Sequence, residues 1–375
     1  MVALLVALAS AGVATSQGAP ADCATPACAP HVSFAAPAEA SAVVRWNLLA
    51  RELAIGMKAP SFRAFALLST AQSGALESSS RAPAAALAGA SSAMLLRLFP
   101  GHASRIRAER DRQLATLSST LLAAELDQAA REGESVAAAL WQERGERASG
   151  IAPHPPKPGR FVWQPAHGES AEGFQDQFLT PWSTAAVESA TPPPPPAPEQ
   201  ITLALRAVRA AIAARTERQA SCARYWAGLE KGEVTPGLWN GIADRELVRR
   251  KASDAESARI LTLMNQAMQD AAIACFRAKY RDWLARPTQL DPSLKPLLHV
   301  PAFPSYPSAH ACLSGAASEI LAHAFPDAEE RVRDLADEAA ESRVWAGLHY
   351  PFDGAAGLRL GRAVADRLLE ETSRR

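Results

Sequence analysis

The segment Ser342-Arg-Val-Trp-Ala-Gly-Leu-His-Tyr-Pro-Phe-Asp353 joins two stretches of helical periodicity near the end of a 375-residue chain. Pro351 interrupts the helical pattern, because proline lacks a backbone N–H and clashes with the preceding turn. His349 is therefore expected near the end of one helix, with Asp353 near the start of the next as an N-cap. A carboxylate there can hold one ring nitrogen of the histidine and leave the other available as a nucleophile or as a ligand to a metal centre.

A second motif lies upstream, in Phe303-Pro-Ser-Tyr-Pro-Ser308-Ala-His310, and an Ala-rich apolar helix pattern follows it directly. Ser308 is the expected N-cap of that helix, so the backbone N–H groups of Ala309 and His310 would lack partners within the helix. Such a helix start can bind an oxyanion. His310, in the first turn, would project beside it.

The third motif is Lys279-Tyr-Arg-Asp-Trp-Leu-Ala-Arg286-Pro287. Its two cations are seven positions apart, which predicts nearly the same face of one helix and a separation of about 10 Å, and Pro287 would end that helix. With Arg343 they make three cations, which would stabilise a multiply charged oxyanion far better in a dry site than in water. Each motif alone is more typical of ordinary caps, buried histidines and surface charges, so the argument depends on their combination.

The ordered trio K-x6-R-P, P-S-x-H and S-R-x5-H-x3-D resembles the signature of a superfamily. That superfamily joins vanadium-dependent haloperoxidases, type 2 phosphatidic acid phosphatases and bacterial class A acid phosphatases. Ala309 stands where the family usually has glycine; its methyl group would narrow the approach to the oxyanion, but the backbone N–H remains. Three further segments, at 44–47, 239–243 and 271–279, are similar to soluble, exported bacterial haloperoxidase-like proteins.

The resemblance implies an all-α, multi-helix bundle and a first activity, that of a vanadium-dependent haloperoxidase. Vanadate would be its cofactor, with His349 Nε2 as the axial vanadium ligand and His310 as the acid–base group. Halide would be oxidised with hydrogen peroxide. The oxyanion oxygens would be held by Lys279, Arg286, Ser308, the N–H of Ala309, and Arg343.

The same resemblance allows a second activity, that of a soluble phosphohydrolase, which needs no cofactor. His349, oriented by Asp353, would form a phosphohistidine. His310 would protonate the leaving group and then activate water. A third, non-catalytic interpretation, an inactive oxyanion pocket, rests only on Ala309. The sequence identifies neither the halide nor the ester, and it gives no oligomeric state.

The chain divides into four predicted parts: a signal peptide and start of linker at 1–22, a helical part at 39–147, a Pro-rich crossover at 148–198, and a site-bearing bundle at 199–375. The short apolar run at the start predicts export to the periplasm or beyond. Cys23 and Cys28 could close a small loop in an oxidising compartment, whereas Cys222, Cys275 and Cys312 are expected as buried small hydrophobes. Helices are predicted over 60–78, 83–99, 103–127, 128–146, 199–230, 244–286, 308–325, 327–346 and 353–374.

Charge and hydropathy limit the function classes. Lys plus Arg and Asp plus Glu both number 39, so the formal net charge is zero. This balance argues against a protein that wraps nucleic acid and against a polybasic membrane-surface binder. No later stretch is apolar enough for a transmembrane anchor, and a small-molecule substrate is expected. Phe276 and Phe303 could wall the pocket, since such a site needs apolar walls to exclude water.

Overall fold

The computed structural model describes residues 40–57, 61–78, 81–119, 121–145, 153–166, 169–229 and 232–374. Across these ranges the regular structure is helical, with one isolated antiparallel β-bridge between Val162 and Leu284. The expected all-α fold is confirmed. The helices are α1 (Ala42–Ala54), α2 (Ser61–Ser78), α3 (Pro83–Leu98), α4 (Ala103–Leu117), α5 (Ala123–Arg144), α6 (Thr184–Ser189), α7 (Pro198–Ala213), α8 (Glu217–Trp226), α9 (Thr235–Arg249), α10 (Asp254–Asp282), α11 (Pro287–Leu290), α12 (Ala309–Ala324), α13 (Glu329–Trp345) and α14 (Pro351–Ser373).

Some predictions concern residues outside these ranges. The proposed signal peptide and the Cys23–Cys28 loop both lie outside the described residues. Among the helices that are described, none is long and apolar enough to cross a membrane. Cys275 and Cys312 are buried free thiols, as expected. Cys222 is disulfide-bonded, so the expectation of a simple buried hydrophobe is wrong there.

Helix α10 is the centre of the bundle, and α2, α12 and α14 pack against it. Its 29 residues include an unbroken buried run, 267–276, in which every side chain is shielded from solvent. A helix that is buried on all sides belongs in the interior of a large domain. Because α2 comes from the N-terminal part and α12 and α14 from the C-terminal part, this one helix joins both halves. The four-part division of the chain itself remains a prediction.

Helices α12 and α14 approach each other closely because glycines line their contact. A Cβ atom added to Gly361 would lie 2.1 Å from the carbonyl oxygen of Cys312, and one added to Gly357 would lie 2.7 Å from that of Ser308. Only a residue without a Cβ allows backbones to come this near. The close packing places the start of α14, which carries Asp353, beside the start of α12.

Several predicted helix boundaries are wrong. The 199–230 helix is two, α7 and α8, because Thr216 and Gln219 form a capping box that starts α8. The 244–286 helix is also two, since Lys251 takes a positive φ and Ser253 caps α10. The break placed at 127/128 lies instead between α4 and α5, at residues 118–122. The short helix α11 interrupts the second Pro-rich loop, and α6 lies within the crossover.

The Pro-rich crossover is pinned to the end of α10 by backbone hydrogen bonds. The N–H of Trp163 donates to the carbonyl of Trp283 over 2.6 Å, and the N–H of Ala285 donates to the carbonyl of Phe161 over 2.9 Å. Residues 283–285 thus run alongside the crossover. This pairing supports the short segment that leads to Arg286.

The close contact between α12 and α14 predicts different effects of two glycine substitutions on the free energy of unfolding. Gly361→Ala should lower the free energy of unfolding by about 2 kcal/mol, since the added methyl group meets backbone and forces the helices apart. Gly354→Ala is the matched control in the same helix, because its Cβ would meet only the Ala340 side chain at 3.4 Å. It should be neutral or stabilise by up to about 1 kcal/mol, the helix propensity difference. Urea unfolding followed by circular dichroism measures both, and equal effects would contradict the close-approach argument.

Candidate oxyanion site

Three cations meet in the interior, with almost no solvent exposure. Lys279 and Arg286 are 0% exposed and Arg343 is 1% exposed. Their hydrogen bonds in the described structure go mainly to backbone carbonyls. Lys279 Nζ donates to the carbonyls of Pro304 and Ser305, at 2.8 and 3.0 Å. The carbonyls compensate part of the cost of burying charge without adding negative charge.

Arg286 and Arg343 follow the same rule. Arg286 donates from Nε to the Phe303 carbonyl and from Nη1 to the Leu348 carbonyl, at 3.0 and 2.9 Å. Arg343 donates from Nη2 to the Ala223 carbonyl at 2.5 Å and from Nε to the hydroxyl of its neighbour Ser342 at 3.0 Å. The carbonyl of Ala223 belongs to the last turn of α8 and also accepts from the N–H of Ala227 at 3.2 Å.

The predicted placement of Lys279 and Arg286 on one helix is wrong. Helix α10 ends at Asp282, and Trp283 adopts a left-handed conformation with φ +49°. Arg286 lies in extended backbone and is the N-cap of α11. The two cations still converge, because both side chains reach the loop around Phe303, whose ring lies 4.8 Å from Lys279 Nζ and from Arg286 Cζ.

His349 is held at both ring nitrogens. Nδ1 lies 2.8 Å from Asp353 Oδ2 and Nε2 lies 3.0 Å from Arg286 Nη1. Because arginine can only donate, Nε2 accepts and the proton is assigned to Nδ1, which donates to the carboxylate. Burial, together with the charges of Arg286 and Lys279, holds the pKa of His349 well below its usual range. The imidazole is therefore neutral, with its lone pair at Nε2.

Asp353 is the third residue of α14, so the prediction that it is the N-cap is wrong by position. Tyr350 is the N-cap, and its N–H donates to Asp353 Oδ2 at 3.1 Å. The same oxygen accepts from the hydroxyl of Ser305 at 2.6 Å. Burial raises the pKa of Asp353 to about 6. Sequence reasoning gave Ser305 no role, because it precedes the P-S-x-H signature, which begins at Pro307.

Ser308 begins α12 as predicted, but its hydroxyl does not cap the helix. Its Oγ is buried and has no hydrogen-bond partner in the described structure. The N–H of Ser308 donates to the carbonyl of Asp353 at 3.0 Å, which ties the start of α12 to α14. The hydroxyl, and the adjacent N–H groups of the first helical turn, are thus available to an oxyanion.

His310 lies in the first turn of α12, as expected, and is partly exposed. Its Nε2 lies 3.1 Å from the carbonyl of Trp226. A carbonyl only accepts, so Nε2 carries the proton and Nδ1 is left as the acceptor in the neutral ring. Burial and the charge of Arg343 hold the pKa of His310 well below its usual range.

The arrangement fits a multiply charged oxyanion. Among the buried side-chain atoms that have no partner in the described structure are two donors of this site, Arg286 Nη2 and Ser308 Oγ. Burial lowers the pKa of Lys279 to about 8, of Arg286 to about 10 and of Arg343 to about 9. Depressed values on three neighbouring cations mean that the protonated forms are short of compensating negative charge.

Aromatic side chains close one side of the site. Phe276 is buried and meets Phe303 edge to face, with ring centroids 5.5 Å apart. Trp283 is buried in the same cluster, and Trp345 is partly buried. His299 and His323 are both exposed.

The fold has known counterparts. A family model described as the VCPO second helical-bundle domain matches residues 328–375, which include the segment from Ser342 to Asp353. A bacterial vanadium-dependent iodoperoxidase matches with TM-score 0.73 and 21% identity, over 88% of this chain and 95% of that chain. The apo-type bacterial vanadium-dependent chloroperoxidase matches with TM-score 0.65 and 13% identity, over 84% and 92%. Its holo-type structure gives 0.64 and 14%, over 91% and 95%.

A search of curated proteins finds no match. The structural matches show that the chain has the helical fold of the vanadium haloperoxidases. The family model and the structural matches together support the superfamily that the three motifs indicate.

The pKa of Lys279 predicts how oxyanion affinity depends on pH. Sulfate is a suitable probe, because its own charge is constant between pH 6 and 10. Its affinity should be constant up to about pH 8 and then fall, since Lys279 loses its proton above its pKa of about 8. An ordinary lysine would keep its charge to about pH 10.4. Calorimetric titration at several pH values tests this.

Lys279→Met supplies the comparison for that titration. It should bind sulfate more weakly at neutral pH, and its affinity should lack the fall near pH 8. A fall of the same size in the variant would assign the titration to another group.

Proposed function

We propose that this protein is a vanadium-dependent haloperoxidase-like enzyme that binds vanadate in this cage and oxidises halide with hydrogen peroxide. The observation that carries the proposal is a buried set of three cations with two unpartnered donors, Arg286 Nη2 and Ser308 Oγ. The likeness of the fold to bacterial vanadium haloperoxidases supports the same assignment.

Each residue has a proposed role. His349 Nε2 would bind the vanadium, and Asp353 fixes the tautomer of His349 by accepting from Nδ1. The oxygens would be held by Lys279, Arg286, Ser308, the N–H of Ala309, and Arg343. Bound vanadate would supply a Lewis-acidic centre at which peroxide is activated toward halide. Arg286 Nη1 donates a hydrogen bond to the Nε2 lone pair of His349. Oxyanion binding would replace this hydrogen bond with contacts from both residues to the oxyanion.

His310 helps to separate the two candidate activities. Its proton is on Nε2 and is donated to the Trp226 carbonyl, while Nδ1 is an acceptor. A neutral ring held in this way is suited to take a proton from hydrogen peroxide. A phosphohydrolase would first need His310 to donate a proton to a leaving alkoxide. The tautomer selected by the Trp226 carbonyl is thus the observation at His310 that supports the haloperoxidase.

The phosphohydrolase is the second candidate, and the His349–Asp353 pair is the observation that favours it. Nε2 of a neutral imidazole whose Nδ1–H is held by a carboxylate is also a nucleophile that can attack phosphorus. The same cage would stabilise the phosphate oxygens. The two functions therefore need a chemical assay to separate them.

Activity should require vanadate and His349. The purified protein, reconstituted with orthovanadate in phosphate-free buffer, should brominate a dimedone-type acceptor when bromide and peroxide are supplied. His349→Ala should lose this turnover, because it removes the proposed axial ligand. His323→Ala is the matched control, an exposed histidine in α12 that should retain activity.

The alternatives give different results in the same experiment. Hydrolysis of p-nitrophenyl phosphate that vanadate inhibits, without bromination, would identify the phosphohydrolase. Binding of vanadate with neither activity would indicate an inactive pocket. Bromination by His349→Ala at the original rate would refute the assigned role.

Arg343 should contribute directly to oxyanion affinity. Arg343→Ala should weaken vanadate binding by about 3 kcal/mol, the scale for removing one partner of a buried charge contact. Arg333→Ala is the control in the same helix, because its guanidinium is 41% exposed and pairs with Glu319 and Glu329 at the surface. Competition titration measures both variants, and an unchanged affinity for Arg343→Ala would count against its place in the cage.

A further inference from the structure

Ser305 makes three hydrogen bonds, which connect it to the segment before Arg286, to Lys279 and to Asp353. Its N–H donates to the carbonyl of Leu284, two residues before Arg286, at 2.8 Å. Its carbonyl accepts from Lys279 Nζ at 3.0 Å. Its hydroxyl donates to Asp353 Oδ2 at 2.6 Å. The residue is fully buried, so water does not compete for any of these bonds.

The carboxylate of Asp353 is anchored through one oxygen. Oδ2 accepts from Ser305, His349 and Tyr350, whereas Oδ1 is buried and has no partner in the described structure. The donors on His349 and Tyr350 belong to the same turn as Asp353 and move with it. Ser305 is the donor that comes from the other side of the site. Its hydroxyl therefore sets the direction of the carboxylate relative to the cage.

The direction of the carboxylate in turn sets that of the imidazole. Asp353 Oδ2 accepts the Nδ1 proton of His349, so a rotated carboxylate would turn the ring and move Nε2. The Ser308 N–H holds the Asp353 carbonyl but not its side chain, which can still rotate about its own bonds. Supporting groups that orient a ligand commonly change affinity by 10- to 100-fold, although they never touch the bound group.

We propose that Ser305 is a positioning residue that aims His349 Nε2 at the bound oxyanion through Asp353. Ser305 affects the bond between His349 and the bound vanadate, and it does not affect the contacts between the three cations and the oxyanion. The inference rests on the proposed function, because it assigns to His349 a direct bond to vanadium. It concerns a residue that lies two positions before the P-S-x-H signature, which begins at Pro307.

The test compares two oxyanions that use the site differently. Vanadate can accept a fifth ligand from His349, whereas sulfate can use only the cage. Ser305→Ala removes the hydroxyl and leaves both backbone hydrogen bonds of the residue in place. Calorimetric titration of the whole protein should show vanadate affinity reduced about tenfold and sulfate affinity unchanged.

A double-mutant cycle separates a positioning role from a structural one. If Ser305 acts through His349, then Ser305→Ala in a His349→Ala background should have no further effect on vanadate affinity. Ser305→Cys keeps a weak donor in a similar volume and should give an intermediate affinity. Ser318→Ala is the matched control, because this buried hydroxyl of α12 donates only to a backbone carbonyl in its own helix.

The outcomes decide between the two proposals. Equal losses for vanadate and sulfate, or a full effect of Ser305→Ala in the His349→Ala background, would overturn the positioning role. An unchanged vanadate affinity for His349→Ala would overturn the proposed function itself. If Ser305→Ala folds poorly, the vanadate-against-sulfate comparison made with Ser305→Cys decides in its place.

Discussion

The burial of three cations in one place is the constraint on which the rest of the site depends. Lys279, Arg286 and Arg343 lie within a helical protein, and their direct hydrogen bonds go chiefly to carbonyl oxygens. An α-helix uses its own carbonyls, except in its last turn. The carbonyls must therefore come from places where helices end. The loop before α12, the turn between α13 and α14, and the end of α8 supply them, so the irregular segments are as necessary to the site as the bundle.

This constraint also explains why the end of α10 is shaped as it is. A helix continued from Lys279 to Arg286 would engage the carbonyls of that segment in its own hydrogen bonds. Instead the chain turns at Trp283 and runs extended, paired on one side with the crossover and on the other with Ser305. Arg286 follows this short extended segment, and its guanidinium lies 4.8 Å from the Phe303 ring. The Pro-rich crossover thus helps to place a cation, in addition to covering the bundle.

The sequence predicted which residues meet, but not always how they meet. Motif spacing brought together Lys279, Arg286, Ser308, Arg343 and His349, because those residue types suit one kind of ligand. The left-handed residue at Trp283 was not predictable, since neither glycine nor asparagine marks the turn. Helix breaks at Thr216 and Lys251 were missed because neither glycine nor proline marks them. Ser305 was missed because its importance comes from a long-range contact with Asp353, which no local pattern reveals.

The two histidines show how the surroundings can give one residue type two chemical roles. Both rings are kept neutral by burial and by neighbouring cations, so charge does not distinguish them. The two rings differ in the group that accepts a hydrogen bond from the protonated ring nitrogen. A carboxylate at Nδ1 of His349 leaves Nε2 as an electron-rich ligand, whereas a backbone carbonyl at Nε2 of His310 leaves Nδ1 as a proton acceptor. A carboxylate raises the basicity of the ring that it holds more than a neutral carbonyl does. The stronger donor is thus the ring assigned to the bond with the oxyanion's central atom, and the weaker one is left to exchange protons.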